Sequence, residues 1–293
     1  MNLIACCPLR NEDWICAFTL RVALQWVDQI IALNHASTDS TPMILQGLQQ
    51  AYPGRIVVIH EPERTWHEMP HRQKMLDAAR AFNATHVAII DADEFVSANL
   101  LPTETCGGIR AMIEMMPADR MLELPLYNLR GSMTRYHANG IWGTDRWLSV
   151  AFRDNLRLHW RGDRFHHRQP MGSGLLLSRM PLAGVGGVLH AWAASEKRLR
   201  ARHRLYKVTE RIRWPEKPVA EIERMYSMAT KGRPEAMDIP ETWTFAEVPE
   251  HWIEPYRKWF EFVHLEREPW QDREVERLVE EYGADYFRGL DLS

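Results

Sequence analysis

The sequence predicts an α/β protein in which a mostly parallel sheet is flanked by helices and followed by a helical C-terminal extension. Two observations predict it. Through residue 91, short apolar runs alternate with longer stretches of helical period, the pattern of βαβ units. After Pro215 the chain reads as helical, punctuated by proline and tryptophan. With 293 residues, 45% of them hydrophobic, it can bury a sizeable core. Residues 1–195 are expected to form the sheet domain and 196–293 the extension packed on it.

In chain order, residues 3–7 read as a strand and 14–26 as a helix. Residues 29–33 read as a second strand and 41–51 as a helix, then 55–60 as a third strand and 71–82 as a helix. The run His86-Val87-Ala88-Ile89-Ile90 is apolar on both faces, as a buried parallel strand requires, and it ends at Asp91. Open parallel sheets bind ligands beyond the carboxyl ends of their strands, so this position matters. From 121 to 190 short β runs such as Leu122-Glu123-Leu124 and Gly174-Leu175-Leu176-Leu177 are separated by Gly, Arg and aromatic residues. Residues 195–213 form a strongly basic helical stretch.

A net charge of -3 exerts no global attraction on nucleic acid or anionic lipid. Cys6, Cys7, Cys16 and Cys106 form no CxxC pair and no zinc spacing, and read as reduced, buried thiols. The N-terminal run lacks a basic leader, and no apolar stretch is long enough to span a bilayer. A soluble, cytoplasmic protein is expected.

The chemistry centres on Asp91-Ala92-Asp93-Glu94-Phe95. Two carboxylates one residue apart at a strand end can face one hard cation, Mn²⁺ or Mg²⁺, while the small Ala92 leaves the approach open. Such an ion neutralises a departing diphosphate as a Lewis acid. Taken alone, the motif reads first as a turn of solvated acids. A strand ending in Asp-x-Asp also serves phosphatases that use an aspartyl nucleophile, but these place a small hydroxyl residue soon after the second Asp, where Glu94-Phe95 stands.

Three strand-end motifs occur in order: Pro8-Leu9-Arg10-Asn11-Glu12, Asn34-His35-Ala36-Ser37-Thr38-Asp39-Ser40-Thr41, and Asp91-Ala92-Asp93-Glu94-Phe95. Together they resemble the signature of family-two glycosyltransferases, in the bacterial branch with an Arg-Asn-Glu opening and an Asp-x-Asp-Glu-Phe motif, over residues 1–207. The resemblance implies a GT-A fold, Rossmann-like, and transfer of a sugar from a nucleoside-diphosphate sugar. It implies that Pro8, Arg10, Asn11, Glu12, Asn34 and Asp39 line the nucleotide, that Asp91 approaches ribose and diphosphate, and that Asp93 binds the metal. Asp39 has a second reading as a cap of the helix that begins at Thr41. Where the family carries an acidic residue, this chain has Asn34 or His35, which leaves the nucleotide base open.

Farther on, His190, Ser195-Glu196 and Arg202 are similar to the family's His-(x)4-Ser-x-Glu segment and its downstream basic residue. Together with Asp91 and Asp93, His190 is the third candidate metal ligand, and Arg202 and Lys207 are candidates for the diphosphate. A bland reading makes His190 a hydrogen-bonded structural residue and the helix a solvated basic one. For the general base the candidates are Asp145, between Gly and Trp residues, then Asp163 and His167. In relatives a His-Glu pair occupies the region resembling His166-His167, and here His stands for Glu. Arg146, Arg164 and Arg168 read as salt-bridge formers. Among twelve tryptophans, Trp142, Trp147, Trp160 and Trp192 fall near the proposed acceptor side, and Trp252 and Trp259 read as one helical stripe.

The function expected is therefore an inverting, metal-dependent glycosyltransferase. Its donor would be a UDP-sugar or related nucleotide sugar, and its acceptor a saccharide or lipid-linked molecule. The competing readings are a nucleotide-sugar- or carbohydrate-binding protein that has lost its base, and a glycosyltransferase acting on protein or nucleic acid.

Overall fold

The computed structural model describes residues 1–139, 143, 146–172, 175–180, 185–227 and 244–293. In chain order the elements are β1 (Leu3–Leu9), α1 (Cys16–Ala23), β2 (Gln29–His35), α2 (Thr41–Ala51), β3 (Ile56–Glu61), α3 (Glu68–Ala81), β4 (His86–Ile89), β5 (Glu94–Val96), α4 (Gly108–Glu114) and β6 (Arg120–Arg130). They continue as β7 (Arg135–His137), β8 (Trp147–Arg153), β9 (Leu176–Arg179), β10 (Val188–Ala193), α5 (Glu196–Arg213), α6 (Val219–Ser227), β11 (Phe245–Glu247), α7 (Glu250–Ile253) and α8 (Trp270–Tyr282). Each strand and helix expected before Asp91 is present, with ends shifted by a few residues.

The chain divides into two compact units. The first comprises Met1–Tyr127, Thr144–His190 and Val248–His264. Its sheet runs β6-β8-β4-β1-β2-β3, parallel from β4 through β3, with β8 antiparallel to both β4 and β6. Alternation along each strand sorts the core. Leu3, Ala5, Cys7, Ile30, Ala32, Ala88 and Ile90 face one side with Leu20, Leu45 and Ile109 of α1, α2 and α4. Ile4, Cys6, Ile31, Leu33, Val87 and Ile89 face the other with Met75, Leu76 and Ala79 of α3. Both faces are covered, so these strands carry no polar alternation. Helix α1 is apolar nearly all round for a similar reason. One side meets the sheet, and Phe18 on the other packs against Tyr256 and Phe260 at 6.0 and 5.6 Å between ring centroids.

Those two rings belong to residues 248–264, a correction to the expected boundary: this stretch joins the first unit instead of the C-terminal extension. Trp252 and Tyr256 are buried there, and the Tyr256 hydroxyl donates to the Val96 carbonyl at 2.8 Å. Nor do Trp252 and Trp259 share one α-helix, because α7 gives way at Glu254 to a 3₁₀ segment through Phe262. The second unit comprises Asn128–Gly143, Ala191–Glu247 and Leu265–Ser293. In it β7 pairs with β11, and α5 packs on α8 through Val208, Val275 and Phe287. Ser195 caps α5 by accepting the Arg198 amide. Cys6, Cys7 and Cys16 are buried as expected, but Cys106 is exposed. Among the described residues no helix is long and apolar enough to cross a membrane.

Candidate active site

Strand parity carries the acidic cluster to its place. Val87 and Ile89 point to the α3 face, and Asp91 continues that alternation. Its Oδ1 stands 3.6 Å from the Arg72 guanidinium on α3. Arg72 is held in turn by Glu68 one helical turn earlier, Nε to Oε1 at 3.0 Å. The chain then turns back on itself: the Glu94 amide donates to the Asp91 carbonyl at 3.1 Å, and the Asp91 amide to Glu94 Oε2 at 3.0 Å.

Arg168 closes the cluster. Its Nη1 donates to Asp91 Oδ2 at 3.2 Å and Glu94 Oε1 at 2.9 Å, and its Nη2 lies 2.7 Å from Glu94 Oε2. Nε donates to the Ser149 carbonyl at 2.6 Å, and Nη2 also to the Ile89 carbonyl. The result is a chain of alternating charge: Glu68, Arg72, Asp91, Arg168, Glu94. Burial opposes ionisation of Asp91, but Arg168 and Arg72 outweigh it and hold its pKa below the ordinary carboxylate value. Glu94 is more deeply buried, with a side chain 4% exposed, and burial pushes its pKa up against the pull of Arg168.

His190 arrives by register. Antiparallel pairing of β10 with β5 sets it opposite Glu94, and its Nε2 lies 3.5 Å from Asp93 Oδ1. Among the described residues no three His, Cys, Asp or Glu side chains are grouped as a metal centre. The corner nonetheless fits a divalent ion in two respects. Two ligands of one ion, each about 2.1 Å from it, stand about 3.0–3.5 Å apart, which the Asp93–His190 spacing meets. Asp91 Oδ1, moreover, is buried and accepts no hydrogen bond.

The ends of β1 and β2 are stitched together. Asn11 adopts φ +54° and Ala36 φ +45°, left-handed conformations that Asn tolerates and that strain alanine. Asn11 Oδ1 accepts the Thr38 amide at 2.6 Å and the Asp39 amide at 3.3 Å, while its own amide donates to Ser37 Oγ at 2.9 Å. Glu12 donates its amide to Thr41 Oγ1 at 2.9 Å. The Asp39 carboxylate accepts the amides of Thr41 at 2.8 Å and Asp13 at 3.1 Å, the capping geometry of its second reading. Arg10 Nη1 donates to the Arg64 carbonyl at 2.7 Å, Asn34 Nδ2 lies 3.2 Å from His60 Nδ1, and Pro8 lies near the end of β1.

His166 and His167 donate their amides to Glu68 at 2.7 and 3.2 Å. Burial, then Arg164, lowers the His167 pKa below the ordinary histidine value. Asp163 is exposed. Asp145, Trp142 and Thr144 lie outside the described residues. Trp160 and Trp192 are buried core residues, 4% and 7% exposed, so their faces are not open platforms. Arg179 sits over Trp147 at 5.6 Å. In the second unit, α5 carries Arg202 and Lys207, and the Lys207 ammonium is held by Glu223 at 3.0 Å and the Asp291 carbonyl at 2.9 Å.

Sequence reasoning passed over Glu68 and Arg72 as site residues and read Arg168 only as a salt-bridge former. A signal for the first two was present, since Glu68 and Arg72 stand four apart at the start of a helix that follows a strand end.

The parallel sheet carries an acid pair, a histidine and two stitched loops beyond its strand ends, the place where open α/β sheets bind ligands. Residues 6–103, from β1 through the acidic motif, match the model of glycosyl transferase family 2. None of the curated proteins compared with it matches. Solved structures resemble it at low identity. S. aureus TarS 1–349 in complex with UDP is 13% identical with a TM-score of 0.45, over 81% of this chain and 73% of that one. Mannosyltransferase PcManGT from Pyrobaculum calidifontis, in complex with GDP-Man and Mn²⁺, is 14% identical with a TM-score of 0.38, over 78% and 70%. Glucosyl-3-phosphoglycerate synthase from Mycobacterium tuberculosis is 19% identical with a TM-score of 0.24, over 32% and 34%. All three scores lie below one-half.

Proposed function

We propose that the protein transfers a sugar from a nucleoside-diphosphate sugar, a UDP-sugar in the first instance, to a saccharide or lipid-linked acceptor, with inversion and with Mn²⁺ or Mg²⁺. The observation that carries this reading is the Asp93–His190 pair, 3.5 Å apart beyond the carboxyl end of β4. Asp93 and His190 would hold the ion, with Asp91 Oδ1 beside them. When bound, the ion supplies Lewis acidity toward the diphosphate leaving group.

The other roles fall to the chain itself. Arg72 and Arg168 keep Asp91 ionised and oriented toward ribose and diphosphate. The stitched loops of Pro8, Arg10, Asn11, Glu12, Asn34 and Asp39 shape the nucleotide end, largely through backbone groups, because the Asn11 and Asp39 side chains are already engaged. His167 acts as the general base: neutral near pH 7, it takes the acceptor hydroxyl proton at a ring nitrogen as the new glycosidic bond forms. Asp145 and Asp163 are the competing candidates for that step.

Titration with UDP-, GDP- and dTDP-sugars, with and without Mn²⁺, followed by detection of released nucleoside diphosphate, tests this directly. Failure of every nucleotide to bind would end the reading. Replacement Asp93→Ala is expected to abolish metal-dependent donor binding while far-ultraviolet circular dichroism stays unchanged, since a strand-end acid contributes little packing. Undiminished turnover in that variant would remove the metal role.

A further inference from the structure

Two guanidinium groups stand inside the acidic cluster where a metal-dependent reaction calls for added positive charge. Arg72 approaches Asp91 Oδ1, and Arg168 spans Asp91 Oδ2 and both oxygens of Glu94. Arg168 is anchored independently of those acids, by the Ser149 and Ile89 carbonyls, and its side chain is only 12% exposed. Strands β4 and β8, which pair with each other, therefore hold its charge in place.

We propose that Arg168 is a tethered counter-cation that sets the divalent-ion affinity of the site, a positioning residue outside the reaction itself. The inference rests on the metal-dependent reading above. Two opposed effects have to be compared. By fixing one oxygen of Asp91, Arg168 pre-orients the other for a ligand, which favours the ion. Its own charge repels the ion, and that repulsion counts twice for a divalent cation and falls off only slowly with distance. Orienting one short carboxylate removes little conformational freedom, so the charge term dominates. Arg168 accordingly holds ion affinity down, so that the ion binds firmly only when the donor diphosphate adds its negative charge.

The test is Mn²⁺ binding without donor, read from the electron paramagnetic resonance signal of free Mn²⁺. Replacement Arg168→Met is expected to tighten binding about tenfold or more, and Arg168→Lys to stay near wild type. Unchanged or weaker binding in a folded Arg168→Met protein overturns the proposal. Because removing Arg168 leaves Glu94 and Asp91 less compensated, that variant can fail to fold. Glu94→Gln keeps the shape and every positive charge, and is expected to weaken Mn²⁺ binding about tenfold; no change there is equally fatal. The double variant Arg168→Gln with Glu94→Gln restores the charge balance and is expected to return close to wild type. Asp93→Ala separates the two readings. If wild type binds Mn²⁺ and Asp93→Ala does not, an unresponsive Arg168→Met sinks the counter-cation role alone. If wild type fails to bind Mn²⁺ even with UDP, the metal-dependent reading falls and this inference with it.

Discussion

His167 shows how much a residue's role depends on its neighbours. The backbone amides of His166 and His167 are tied to Glu68, and Arg168, the next residue, reaches Asp91, so the fold brings His167 near the acidic cluster. Burial and Arg164 favour the neutral imidazole, the form a base requires. Replacement His167→Gln is expected to lower kcat by about 10²- to 10⁴-fold, the usual worth of a positioned base. The wild-type rate is expected to rise along a limb centred below pH 6.5 and to be level above it. A His167→Gln enzyme with the wild-type rate and the same limb would return the role to Asp145 or Asp163. At this scale the sequence disclosed the acids and the histidines but not their partners. Asp91 and Arg168 are far apart along the chain, and only the folded β4 and β8 bring them within 3.2 Å.

Among elements, the loops that follow β1 and β2 are joined by a set of hydrogen bonds. Asp39 holds two amides, one from the head of α2 and one from the neighbouring loop, so its loss affects both. Replacement Asp39→Ala is expected to cost about 1–2 kcal/mol in a denaturant titration, the range for a helix cap. Asp39→Asn, which keeps an acceptor oxygen, is expected to lose less than half of that. Equal losses in the two variants would show that charge, not the hydrogen bonds, matters at this position. Elements up to β4 were readable because each is a local apolar period with a turn signal after it. The segment 254–262 was not, because helical spacing of aromatic residues does not distinguish an α-helix from a 3₁₀ turn pressed against a neighbouring surface. Trp160 and Trp192 misled for a related reason: composition alone does not tell a sugar platform from core packing.

For the molecule as a whole, three buried imidazoles govern the response to acid. Burial depresses the pKa of His35, His137 and His203 to about 4, with Arg10 adding to the effect at His35 and Arg130 at His137. Their unfolded value is near 6.5, so the unfolded chain takes up protons first as pH falls. The stability they contribute is present in full above pH 6.5 and is lost as pH falls toward 4. Urea midpoints are therefore expected to be level from pH 8 to 7 and to decline from 6.5 to 5, where most carboxylates remain ionised. A His203→Phe variant is expected to decline less steeply; a wild-type midpoint level down to pH 5 would contradict the assignment.

The stretch 248–264 bears on how the protein is made. It completes the first unit by burying Trp252 and Tyr256 there, yet it is encoded after most of the second unit. No N-terminal fragment that stops before Val248 contains the whole of the first unit. On the ribosome, where chains fold as they emerge, that unit cannot close its core until most of the second has already left the exit tunnel. The order of synthesis and the order of completion are thus inverted, and the two units share one folding window.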